Sequence, residues 1–85
     1  MPEISRFLGI VIMMYYNDHP PPHFHAKYGD HEITVRIADG VVDGYFPRRA
    51  SNLVSEWYNQ HKDELVEDWN LIRARRPVRP IAPLE

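Results

Sequence analysis

The sequence predicts one α+β domain: a small antiparallel β-meander of 3–4 strands with one long C-terminal helix packed on one face. Three observations predict it. The dipeptides Gly29-Asp30 and Asp39-Gly40 both sit between stretches that alternate apolar and polar residues, the pattern of two-residue hairpin loops. From Arg48 to Arg73 the apolar residues instead recur at helical spacing.

The elements follow in order. Residues 1–8 form an N-terminal arm or short strand, closed by Gly9. Ile10 to Tyr16 (IVIMMYY) is β-branched and aromatic and ends on the turn pair Asn17-Asp18, so it reads as a strand apolar on both faces. His19-Pro20-Pro21-Pro22 cannot be helix, and three prolines favour a stiff polyproline-type segment. The meander spans residues 10–46. Its first loop, Gly29-Asp30, pairs Tyr28 with His31, Lys27 with Glu32, Ala26 with Ile33, His25 with Thr34, Phe24 with Val35 and His23 with Arg36. One face then carries Phe24, Ala26, Tyr28, Ile33, Val35 and Ile37, with His31 the one polar intruder; the other carries His23, His25, Lys27, Glu32, Thr34 and Arg36. A slip of one residue would destroy that separation. The second loop, Asp39-Gly40, pairs Arg36 with Asp43, Thr34 with Tyr45, Ile37 with Val42 and Ile33 with Phe46.

Pro47 suits a first helical position. Val54, Tyr58, His61, Leu65, Trp69 and Ile72 share one stripe of a helix over 47–73, flanked by Ala50 and Trp57. A kink at Asn59-Gln60-His61 is the alternative. The segment 74–85 is expected to be an extended, proline- and arginine-rich tail lying over the surface or on a partner.

The composition excludes several classes. With 85 residues the chain makes a single domain, and a chain of this size buries only roughly 60–65% of its unfolded surface. It has no cysteine, so disulfides, thiolate zinc cages and thiol nucleophiles are excluded. The start MPEISRF has no basic leader region, no apolar run approaches the length of a bilayer span, and a cytoplasmic protein without membrane contact is the expectation. A net charge of −2 does not mark the whole molecule as a nucleic-acid binder.

The chemistry is concentrated between His19 and His31. His23 and His25, at i and i+2 on a strand, point the same way roughly 6.6 Å apart, a spacing at which two imidazoles can share a divalent metal such as zinc. His19, across the prolines, is the third candidate ligand, and no carboxylate ligand is evident. Alternatively, the rows His23–Arg36–Asp43 and His25–Thr34–Tyr45 resemble metal-independent ribonuclease sites in kind. A histidine there would move protons, and Arg36 would hold a phosphate. His23, His25, Arg36 and Tyr45 are its candidate catalytic residues, and this reading needs no cofactor. Against both stands a solvated face stabilised by the Lys27–Glu32 and Arg36–Asp43 pairs. Lys27, Arg73, Arg75, Arg76 and Arg79 are the basic side chains available to a protein partner or to nucleic acid; the arginines equally suit a helix C-terminus with Glu64, Glu67 and Asp68 nearby. His61 and Glu64 have ligand spacing, but a histidine in an apolar stripe is expected to be a hydrogen-bonded core residue.

The stretch PEISRFLGIVIMMYYNDHPPPHFHAKYGD, then PRRA, the spaced W…H…EL…W of the helix and the closing PIAPL resemble the bacterial family catalogued as domain of unknown function 4160. The resemblance covers nearly the whole chain, and HPPPHFHA at His19 to Ala26 is its most specific string. It implies small cytoplasmic proteins encoded beside a second small protein, an arrangement similar to toxin–antitoxin operons, and it assigns no catalytic residue. Three functions follow as expectations. The first is a protein-binding module in a toxin–antitoxin-like pair, whose histidine face or tail docks a small protein encoded nearby. The others are a small ribonuclease-type toxin and a histidine-cluster metal-binding domain. A homo-oligomer is also compatible with the sequence.

Overall fold

The Gly29-Asp30 loop folds as its flanking pattern requires. In the computed structural model, which describes residues 2–84, β3 (His23–Tyr28) and β4 (His31–Arg36) pair from His23↔Arg36 through His25↔Thr34 to Tyr28↔His31, the register expected from the sequence. Phe24, Ala26, Ile33 and Val35 are buried on one face.

Three further pairings complete a five-stranded antiparallel meander in the order β1-β2-β3-β4-β5. The N-terminal segment is a strand, β1 (Glu3–Phe7), joined to β2 (Ile10–Met13) through Leu8 and Gly9. Both turn residues have positive φ (50° and 84°), the combination of a tight type I′ hairpin. The second strand is shorter than the apolar run that announced it and stops at Met13. Met14 instead donates its N–H to Pro2 O, and the chain turns at Tyr15–Asp18. The Pro20–Pro21 peptide is cis.

The last strand corrects the second hairpin. The short β5 (Val42–Gly44) pairs Thr34 with Asp43 and Val35 with Val42, two residues out of the expected register. The cause is Asp39. Its carboxylate takes both arms of the Arg36 guanidinium (2.8 and 2.7 Å) and the Val41 N–H, which holds open a four-residue loop, Ile37–Gly40, closed by Arg36 N–H to Val41 O. Faces are preserved, because the shift is an even number of residues. Gly44 rather than Phe46 faces Ile33. A Cβ there would sit 2.9 Å from Glu32 O, and φ is 109°, so only glycine lets the strands approach.

The helical stripe holds, but not as one helix. The chain forms α1 (Arg48–Gln60), preceded by Pro47 at the N-cap rather than inside the helix, and α2 (Lys62–Arg73). They break at His61 (φ −131°), which donates its N–H to Tyr58 O while its own carbonyl accepts from Leu65. Asp63 and Glu64 in the first turn of α2 suit the positive end of its dipole. On both sides of the break, Val54, Trp57, Tyr58, Leu65, Trp69 and Ile72 lie in the core with Ile10, Ile12, Phe24 and Val35.

The C-terminal segment lies extended over the surface and adds two side chains to that core. Ile81 and Leu84 are buried. Ile81 N–H bonds Ile4 O along the β1 edge, Trp57 Nε1–H donates to Ala82 O (2.9 Å), and Tyr16 donates to Arg76 O. The sheet is therefore covered at β1 and open at β5. Among the described residues no helix is long and apolar enough to cross a membrane.

Candidate metal centre

Alternation along β3 sends Phe24 inward and His23 and His25 to the opposite face, which the loop after β2 roofs at one end. The Tyr15–Asp18 turn swings Asp18 back over that face, so Asp18 Oδ2 lies 3.2 Å from His23 Nε2 and 2.8 Å from His25 Nε2. The potential ligand atoms of these three residues all lie within 4.8 Å of one another. The three side chains are 18%, 13% and 23% exposed for His23, His25 and Asp18, sheltered yet reachable.

The second ring nitrogens point outward. His23 Nδ1 is 2.8 Å from Pro21 O, a carbonyl that can only accept, so Nδ1 carries the hydrogen and Nε2 is directed at Asp18. His25 Nδ1 faces Glu32 Oε2 at 3.3 Å. The Tyr15 ring meets His25 edge-on (4.4 Å), and Trp69 packs on His23 (5.4 Å). Tyr15 donates to Met13 Sδ. Burial, and then the Glu32 and Asp18 carboxylates, push its hydroxyl above the ordinary tyrosine range. Both Nε2 atoms thus converge on one carboxylate oxygen, three potential ligand atoms gathered at one point.

A family model described as Domain of unknown function (DUF4160) matches residues 9–70. The chain belongs to that family. The DUF4160 stretch begins just before β2, ends within α2 and contains Asp18, His23, His25 and Glu32. No curated protein and no solved structure matches the chain.

The other residues singled out in this DUF4160 chain are distributed differently. His19, adjacent to Asp18, is exposed and stands outside the three-residue cluster. The turn brings the aspartate, not the histidine, to the rings. Arg36 lies across from His23 as expected, but its guanidinium is engaged by Asp39 rather than Asp43. Tyr45 is displaced by the register of β5, is 69% exposed and packs on His31 (5.4 Å), so it does not join His25 and Thr34. Lys27 is exposed, and its expected partner Glu32 turns to His25. Arg79 is bound to Glu67 (3.1 Å). Arg73, Arg75 and Arg76 are exposed and make no ion pair among the described residues. His61 is hydrogen-bonded to Glu64 (2.6 Å) against Trp57. Sequence reasoning missed Asp18, which had been absorbed into a turn signal. The signal that could have found it is a carboxylate directly preceding the His-Pro-Pro-Pro-His-Phe-His string.

Proposed function

We propose that Asp18, His23 and His25 bind one divalent transition metal of the zinc or iron type, and that the domain acts through that ion. The convergence of both Nε2 atoms on Asp18 Oδ2, with each Nδ1 engaged outward, carries this reading. Donor separations of 2.8 and 3.2 Å suit ligands held about 2.0–2.1 Å from a common ion. Backbone carbonyl and carboxylate partners on the far ring nitrogens are the usual outer supports of metal-bound histidines. Two histidines and one carboxylate leave open positions for water or substrate, as in sites that carry out chemistry.

The test is titration of the chelator-stripped full chain with Zn²⁺ and Co²⁺, by calorimetry and by the visible spectrum of cobalt. One equivalent should bind the wild type, with affinity reduced at least tenfold in Asp18→Asn and lost in His23→Ala/His25→Ala, while circular dichroism stays native. Equal affinity in wild type and Asp18→Asn, or no uptake, would sink the reading.

A second reading, one member of a protein pair, is favoured by the open β5 edge, where Val41, Val42 and Tyr45 expose apolar surface. Co-purification with the product of the adjacent gene tests it, and substitutions at Val41 and Val42 should then abolish the complex.

A further inference from the structure

Asp18 has two sides. One faces His23 and His25. The other lines an open depression of about 310 Å³ with Tyr16, Asn17, His19, Arg73 and Arg75. The two arginines enter it from the C-terminal end of α2, and among the described residues neither has a carboxylate partner.

Arg75 occupies an unusual position. Helix α2 ends in a Schellman arrangement, with Arg76 N–H on Leu71 O (2.8 Å) and Arg75 N–H on Ile72 O (3.0 Å). The residue at its left-handed position is Arg75, at φ 58°. Glycine is the residue that such a position ordinarily holds, and a side chain there is conformationally disfavoured. The backbone on the far side is fixed as well, since Tyr16 donates to Arg76 O. The chain thus keeps an arginine at a fixed, left-handed backbone position where a helix stop needs no side chain at all, and that arginine lines the depression shared with Asp18. Strain of this kind is retained where the side chain is used.

We propose that this depression binds the phosphoryl group of a phosphate monoester beside the metal, with Arg73 and Arg75 as its anion-binding residues. This rests on the metal reading of Asp18, His23 and His25. Arg73, Arg75 and a divalent ion bring more positive charge than Asp18 and Glu32 offset, an excess that matches a doubly charged phosphate monoester better than a singly charged carboxylate. Planar guanidinium forks suit phosphate oxygens. The neighbouring depression on the other side of His23 is unsuited to an anion. Its arginine, Arg36, is already taken by Asp39, and it also contains the Asp43 carboxylate.

Phenyl phosphate is the probe, with benzoate as the singly charged control, titrated by calorimetry into metal-loaded and metal-free protein. Phenyl phosphate should bind the metal-loaded wild type at least tenfold more tightly than benzoate does. Arg75→Gly and Arg73→Gln should each weaken phenyl phosphate at least tenfold without changing metal affinity. Arg75→Gly relieves the left-handed side chain, so its melting temperature should be equal to or above that of the wild type; lost binding in a protein of undiminished stability is not the result of a merely structural role. Phenyl phosphate binding unchanged in Arg75→Gly, absent altogether, or matched by benzoate overturns the proposal and leaves metal uptake to be judged by itself. Arginine-dependent phenyl phosphate binding in a protein that takes up no metal retains the anion site and removes the metal.

Discussion

The backbone N–H of Arg79 donates to Asp68 Oδ1 at 2.9 Å, tying the C-terminal segment to α2 through a carboxylate that is 1% exposed. The other oxygen, Oδ2, is buried without a partner. Burial is the main force pushing this carboxyl above the usual range. The Arg79 N–H opposes it, and nearby Glu67 and Glu64 add to the rise. A carboxyl that holds its proton more tightly folded than unfolded contributes stability fully present below the unfolded pKa, about pH 4, and lost as pH rises through the folded value. Asparagine mimics the protonated form. Asp68→Asn should therefore melt higher than wild type at pH 7, with the gap closing toward pH 4. A variant less stable at pH 7 would show that the charge itself is used to hold the tail.

Leu65 and Ile81 lie in one core although they come from a helix and from the terminal segment. Truncating either to alanine removes buried methyl groups and leaves a cavity, so each should cost about 2–5 kcal/mol in urea denaturation, a large share of the roughly 5–15 kcal/mol typical of a whole domain. An Ile81→Ala protein as stable as wild type would mean that the segment after α2 is a loose cover.

Gly44 offers a local test of the β4–β5 pairing. A methyl group there meets Glu32 O at 2.9 Å and Ile33 Cγ2 at 3.1 Å, at a φ disfavoured for side chains. Gly44→Ala should lower stability by about 1–3 kcal/mol, measured by thermal melting. The metal titration should be unaffected, because the proposed ligands come from β3 and the loop before it. Unchanged stability would contradict this approach of β5 to β4.

Local pattern determined much of this protein from its sequence alone. The β3–β4 register was legible because a two-residue loop fixes pairing and the strict alternation penalises any slip. The helical stripe and the shared direction of His23 and His25 were legible for the same reason: periods of 3.6 and 2 are properties of the backbone. The tertiary structure decided what depends on side chains meeting across space. Asp39 chose Arg36 and moved β5 by two residues, a competition between carboxylates that spacing cannot rank. The helix broke at His61 although its apolar stripe continues on both sides. The proline-rich tail entered the core because Ile81 found the β1 edge and Trp57 found Ala82 O. Asp18 joined the histidines because the Tyr15–Asp18 turn folds it back over the sheet. A turn signal in a sequence says that the chain reverses, but where the reversed carboxylate lands is set by the strands on either side of it.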